Sequence, residues 1–301
     1  MAHDHAVHAP VTGRKLGLSI ALTLGFVAAE AVAGYFAHSL ALMSDAGHNF
    51  ADALALILSW YAIRVARRPA DEARTYGYLR VGILAALVNA VSLVVLALVI
   101  VWEAIGLLRA PEPVEAGPMI VVALVAMILN GIISLWLRAE ARNDLNIRSA
   151  YLHMLGDAAS AFGVVIAGII VAVTGASIAD PIVSLLIGGL ILWSSWDILA
   201  ESVNVLMEAA PRHIDMQALA KAIKDVPGVL ETHDLHVWTI ASGVIACSCH
   251  IVVADQSTRG GQDVLRNVAE ALRQSFGVTH STIQVEVEGC DAGEAHSDHH
   301  Q

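Results

Sequence analysis

The sequence has few charged residues, few cysteines and no excess of positive charge. Only 15% of its 301 residues are charged, whereas a soluble domain carries about a quarter. The formal net charge of −11 offers no basic face, which argues against a nucleic-acid-binding protein. The three cysteines, Cys247, Cys249 and Cys290, lie in a polar segment that we place in the reducing cytoplasm, so no disulfide framework is expected.

Two sequence signatures are also missing. The chain contains no Gly-x-x-x-x-Gly-Lys-Ser/Thr segment, so nothing predicts a nucleotide site of the P-loop kind. It contains no His-Glu-x-x-His segment either, which removes the zincin class of metalloprotease.

What the sequence does have is long apolar runs. The chain is 56% hydrophobic, with a mean hydropathy of +0.65. A membrane helix needs about 20 mostly apolar residues, and six runs fit: 16–36, 40–63, 82–108, 117–137, 148–173 and 181–206. The first run is too long for the core of a cleavable signal peptide. We therefore predict an all-α membrane domain of six helices over residues 14–208, after a flexible His-rich N-terminus (residues 1–13).

The positive charges favour one side of the membrane. Arginines cluster between runs two and three and between runs four and five: Arg64, Arg67, Arg68, Arg74 and Arg80, then Arg138, Arg142 and Arg148. On the other side only Arg109 lies near a predicted helix end. Because loops rich in Lys and Arg stay in the cytoplasm, we predict six spans with both termini cytoplasmic, in an inner or plasma membrane.

From residue 209 the pattern becomes that of a small soluble domain. Helical spacing over residues 215–226 is followed by two predicted strands, 231–240 and 244–253, joined by a turn at Ser242-Gly243. A second helix is predicted over residues 258–276 with Thr258 as its N-cap, then a third strand over 278–287. This αββαβ order predicts a small cytoplasmic α+β domain over residues 209–288. The polar tail, residues 289–301, contains histidines and is expected to be flexible.

Two of the predicted membrane helices carry the same polar pattern, His-x-x-x-Asp. The second has His48 and Asp52, and the fifth has His153 and Asp157. A spacing of four puts both side chains on one helix face, so facing helices would offer two imidazoles and two carboxylates, a tetrahedral set that suits zinc. Ionisable groups inside a membrane usually mark function. Asp45, three residues before His48, is expected to orient that histidine without binding the metal itself.

Two other interpretations of these residues stay open. The four side chains could be polar contacts that hold helices together, although the duplication at identical spacing argues against it. Asp52 and Asp157 could instead form the dyad of an intramembrane aspartyl protease. The usual Gly-x-Gly-Asp would then need glycine at Met154, and both histidines would have no role.

Several segments together resemble the cation diffusion facilitator family, nearly end to end. They are Ser39–His48, Tyr76-Gly77-Tyr78 with Arg80, Asp180-Pro181, Met207-Glu208 with Pro211, and His233–Trp238. The resemblance implies a homodimer, a metallochaperone-like cytoplasmic domain, and export of a divalent cation by proton antiport. It also implies that the transport ligands are His48, Asp52, His153 and Asp157, a pattern that goes with zinc in this family.

The resemblance also implies a metal site in the soluble domain. In similar proteins, a histidine of the His-Asp-Leu segment and one on the following strand bind zinc, which points here to His233 and His250. The family position near Gln284 offers no strong ligand. Further candidates are His236, Glu286, Cys247 and Cys249. The histidines could equally be structural, and the cysteines could be small apolar core residues.

Two further regions have metal-binding residue types. The loop between runs two and three has Asp71 and Glu72 but no histidine, so we expect a solvated loop without a metal. The histidines near both termini either capture metal weakly or belong to solvated tails.

These patterns predict a transporter and not an enzyme. Zinc, with cadmium or cobalt as alternatives, would leave the cytoplasm while protons enter. Protons would be exchanged because metal ligands must lose their protons before they bind a metal, and histidine titrates near physiological pH. The predicted partners are divalent ions, protons, lipid and a second copy of the chain, and no cofactor is expected. A metal-permeable channel, which would need several weak sites, and a metal sensor, which would not need the membrane residues, are the alternatives.

Overall fold

The computed structural model describes residues 13–138, 145–241 and 243–288. The side chains of residues 13–23, 56, 137, 145–150 and 153 are outside that description. The predicted His-rich N-terminus, the tail from residue 289 with Cys290, and Ser242 of the predicted turn also lie outside the described residues.

Each of the six apolar runs forms one long helix. The helices are α1 (Gly13–Ala37), α2 (Leu40–Ala66), α3 (Val81–Arg109), α4 (Ala116–Leu137), α5 (Leu145–Thr174) and α6 (Ala179–Leu206). By length and composition, α2 to α6 each contain a stretch that can cross a membrane, and α1 has a shorter apolar stretch, Leu24–Ala37, within the described residues. Large apolar side chains such as Trp102 and Trp136 are exposed, as expected of helices whose outer faces contact lipid.

The first compact unit contains the chain up to Trp60 and Val88–Leu199. Its interior is made largely of alanines, such as Ala97 on α3 and Ala123 on α4, because small residues let membrane helices approach closely. Among the described glycines of this unit, Gly168 on α5 leaves the least room, since an added Cβ would lie only 2.6 Å from Cγ1 of Ile120 on α4.

The second compact unit contains residues 61–87 and the chain from Ala200 onward. Its elements are α7 (Met216–Lys224), β1 (Val229–Ala241), β2 (Val244–Val253), α8 (Thr258–Phe276) and β3 (Val278–Val287). The predicted αββαβ order is thus confirmed. Strand β2 is central in the order β1-β2-β3, antiparallel to β1 and parallel to β3.

Helices α7 and α8 pack on one face of this sheet. The core between them contains Leu219 and Ile223 of α7, Val268 of α8, and Cys249 and Ile251 of β2. Asp215 caps α7 by accepting hydrogen bonds from the backbone N–H groups of residues 217 and 218. The prediction that Thr258 caps α8 is wrong, because the Ser257 side chain accepts the backbone N–H of residue 260.

The loop between α2 and α3 is folded around Asp71. Its carboxylate accepts the backbone N–H groups of Ala73 and Arg74 and the hydroxyl of Tyr78, at 3.0, 2.7 and 2.9 Å. The hydrogen bond from Tyr78, more than any other contact, lowers the pKa of Asp71. Both oxygens of this carboxylate therefore accept hydrogen bonds within the loop, and the absence of a metal there stays a prediction.

Candidate metal centres

Three of the four predicted transport residues meet inside the first unit. The Nε2 atom of His48 lies 3.5 Å from an oxygen of Asp52 and 3.6 Å from an oxygen of Asp157. One ligand atom from each of the three lies within 4.8 Å of the others. Ligands bound to one tetrahedral zinc at 2.0–2.1 Å are about 3.3 Å apart, so the spacing suits a single zinc ion.

The fourth residue, His153, lies on α5 one helical turn before Asp157. Its side chain is outside the described residues. Asp157 is buried, and the side chains of His48 and Asp52 are 17% and 25% exposed. The cluster is therefore largely shielded from solvent on helices α2 and α5.

The N-terminus of α2, which carries His48 and Asp52, is held by Asp180 of α6. This carboxylate is fully buried and accepts the hydroxyl of Ser39. It also accepts the backbone N–H groups of Leu40 and Ala41, at 2.8 and 3.3 Å. The first N–H groups of a helix have no acceptor within the helix. Asp180, which is 140 positions from Leu40 in the sequence, supplies that acceptor for α2.

Asp45 was expected to orient His48 without binding the metal itself. Asp45 is buried and lies within hydrogen-bond reach of Glu30 on α1. Glu30 in turn accepts a hydrogen bond of 3.1 Å from the side-chain nitrogen of Asn49, the residue after His48. A glutamate within an apolar helix is a signal that the sequence shows, and from it Glu30 was expected to support packing, the surroundings of the metal ligands or a water path; its partners Asp45 and Asn49 are seen only in the structure.

A second cluster lies on the sheet of the soluble domain. His233 and His250 are directly opposite each other on β1 and β2. Glu286 on β3 reaches both, with one oxygen 3.3 Å from Nε2 of His233 and the other 2.9 Å from Nδ1 of His250. The ligand atoms of these three residues lie within 4.8 Å of one another, and this spacing again suits one metal ion.

Asp234, which the sequence did not single out as a ligand, also lies beside this cluster. One of its oxygens lies 3.0 Å from Nε2 of His236, and the other lies 3.6 Å from Nε2 of His250. The register between β1 and β2 shifts between His233 and His236, and Asp234 has a φ of 49°. This bulge brings Asp234 to the same side as His250.

The two described cysteines are separate from this cluster. Side chains alternate along a strand, so Cys247 and Cys249 of β2 face away from His250, and both are buried in the core under the helices. Burial of both thiols in this core, on the face of the sheet opposite His250, favours the interpretation as small apolar core residues.

Comparison with known proteins covers almost the whole chain. The family descriptions "Cation efflux transmembrane domain" and "Cation efflux protein, cytoplasmic domain" match residues 16–207 and 211–288. The chain is 37% identical to the zinc transporter ZitB of Escherichia coli over 98% of this chain and 96% of that protein. It is 38% identical to the metal cation efflux system protein CzcD of Cupriavidus metallidurans over 98% of this chain and 92% of that protein.

Two further similarities complete the comparison. A Bacillus subtilis protein described as a cadmium, cobalt and zinc/H(+)-K(+) antiporter is 35% identical over 96% of this chain and 93% of its own length. Among solved structures, the metal-bound C-terminal domain of the C. metallidurans CzcD transporter is 36% identical. It covers 24% of this chain and 99% of that domain, with a TM-score of 0.23.

Proposed function

The chain belongs to the cation diffusion facilitator family of cation efflux proteins, and from that premise we propose that it exports zinc from the cytoplasm in exchange for protons. Cadmium and cobalt are the alternative cargoes. The family consists of integral membrane transporters of metal cations and not of enzymes.

The observation that carries the proposal is the cluster of His48, Asp52 and Asp157. One nitrogen and two carboxylate oxygens are brought together from two membrane helices, at separations of 3.5 and 3.6 Å around His48. His153, one turn from Asp157 on α5, would supply the fourth ligand of a tetrahedral site. Two carboxylates neutralise the charge of a divalent cation, which matters where few water dipoles can do so.

Proton exchange follows from the same groups. Histidine and carboxylate bind metal only when deprotonated, so zinc arriving from the cytoplasm displaces protons. Protons arriving from the outer side compete for the same atoms and release the metal. Alternating exposure of the site to the two sides, by rocking of helices against one another, would convert this competition into export.

The soluble domain is proposed to dimerise the protein and to sense metal. Its cluster of His233, His250 and Glu286 would bind zinc on the sheet, and Asp234 and His236 lie beside it. With six spans and both termini cytoplasmic, this domain (residues 209–288) would be exposed to cytoplasmic zinc.

Flux into liposomes tests the transport site. The purified protein would be reconstituted around a zinc-sensitive dye, and zinc entry recorded with and without an imposed pH gradient. We expect flux that follows the gradient, and its loss in both Asp52→Ala and Asp157→Ala. The matched control is Asp197→Ala, which removes an exposed carboxylate from α6 and should leave flux unchanged.

The same assay separates the alternatives. Flux that persists in both cluster variants would mean that the cluster is structural and that metal crosses elsewhere. Flux in the wild type that ignores the pH gradient would favour a channel. Normal metal resistance in cells that express the double variant His48→Ala/Asp52→Ala would favour a sensor.

A further inference from the structure

A pair of carboxyl groups is buried beside the transport cluster. Glu30 on α1 and Asp45 on α2 are 0% and 1% exposed, and their carboxyl groups lie within hydrogen-bond reach of each other. Asn49 donates one hydrogen bond to Glu30, at 3.1 Å. Within the described residues, Oε1 of Glu30 and Oδ2 of Asp45 have no hydrogen-bond donor.

Two ionised carboxylates cannot rest side by side in such a place. Both would accept hydrogen bonds only, so the pair would combine like-charge repulsion with unsatisfied buried oxygens. The groups that act on the pair electrostatically are His48 of α2 and Asp157 of α5, and no lysine or arginine is among them in the described part of the chain. A single proton between the carboxyl groups turns the repulsion into a short charge-assisted hydrogen bond.

We propose that Glu30 and Asp45 form a proton-binding pair, which holds one proton while the transport cluster is empty and releases it when a divalent cation enters that cluster. The inference rests on the proposed function. It places one of the exchanged protons outside the metal ligands themselves.

The coupling is electrostatic and works in both directions. A divalent cation between His48 and Asp157 adds positive charge next to the pair, and positive charge nearby favours an ionised carboxylate. By linkage, a proton taken up by the pair weakens cation binding by the same factor. Protons that arrive from the outer side would therefore help to expel the metal without competing for its ligand atoms.

The test is to count the protons released when zinc binds. Zinc chloride would be titrated calorimetrically into the full-length protein in detergent, in buffers that differ in ionisation enthalpy, because the observed heat then gives the number of protons released. In Glu30→Gln the amide can donate to Asp45, so this variant mimics the protonated pair. We expect it to bind zinc and to release about one proton fewer than the wild type.

A second variant and a control keep the test independent of folding defects. Asp45→Asn should lose the same proton, and the double variant Glu30→Gln/Asp45→Asn should lose no more, because the pair shares one proton. Glu103→Gln, a change at an exposed glutamate of α3, should release as many protons as the wild type.

The possible failures are distinguishable. A wild-type protein that binds zinc without releasing any proton would contradict the proposed antiport itself. Normal proton release in both Glu30→Gln and Asp45→Asn would overturn only the pair. Loss of zinc binding in both single variants would also overturn it, since the two residues would then be part of the cation site.

Discussion

The carboxylate of Asp180 should contribute more to the stability of the membrane domain than an ordinary contact between helices. It is fully buried and accepts three donors at the start of α2: the hydroxyl of Ser39 and the backbone N–H groups of Leu40 and Ala41. In Asp180→Ala all three donors lose this acceptor at once. In Ser39→Ala the hydroxyl is lost, and with it the acceptor of the Leu42 N–H, but the N–H groups of Leu40 and Ala41 keep Asp180 as their partner.

The size of the effect follows from this difference. A buried donor left without a partner costs about 1–3 kcal/mol. Removing the buried carboxylate also removes the cost of its own desolvation, which offsets part of the loss. We therefore expect Asp180→Ala to lower the free energy of unfolding by about 2–4 kcal/mol, and Ser39→Ala by about 1 kcal/mol. Hydrogen bonds between membrane helices average only about 0.6 kcal/mol. The predicted difference between Asp180→Ala and Ser39→Ala is therefore larger than one average hydrogen bond would produce.

The measurement is reversible unfolding of the purified protein in mixed micelles, as the fraction of denaturing detergent is raised and helix content is followed by circular dichroism. Asp197→Ala, on the same helix but exposed, is the control and should unfold as the wild type does. If Asp180→Ala costs no more than Ser39→Ala, the carboxylate does not hold the start of α2, and the reasoning is wrong.

Two other predictions concern packing and reactivity. Gly168→Ala should destabilise the protein by about 1–3 kcal/mol through overpacking, because the new Cβ would lie 2.6 Å from Ile120. In a double-mutant cycle Ile120→Ala should recover part of that loss, whereas strictly additive effects would contradict the contact. Cys247 and Cys249 should resist maleimide labelling at neutral pH in the native protein and react after unfolding, because both thiols are buried in the core of the soluble domain. Rapid native labelling of either, read by mass spectrometry, would contradict their place in the core.

The sequence predicted the secondary structure well, because the signals were local. Hydropathy and length placed all six long apolar helices. Runs separated by a turn signal placed the first two strands of the soluble domain, and alternation placed the third. The error at the start of α8 has a physical reason: Ser257 and Thr258 are neighbouring residues that can both cap a helix, and only the backbone geometry selects Ser257.

Prediction of the candidate sites was less complete. The spacing of His48 and Asp52 placed both on one face of α2, and the structure brings Asp157 to them; their role as ligands stays a prediction. Asp234 could not be found by strand alternation, since that rule puts neighbours of His233 on the opposite face, and the bulge in β1 defeats it. The hydrogen-bond partners of Asp180 could not be predicted either, because local sequence patterns carry no information about contacts between residues 140 positions apart.

The cluster on the soluble domain takes one residue from each of the three strands: His233 from β1, His250 from β2 and Glu286 from β3. The outer strands β1 and β3 do not pair with each other in the described sheet, and each is joined only to β2. An ion held by all three side chains would therefore cross-link the whole sheet, as a disulfide cross-links distant segments. Unlike a disulfide, this cross-link would form and break as the metal binds and dissociates. The rigidity of this domain would then rise and fall with the occupancy of the site, and so with the zinc concentration around it.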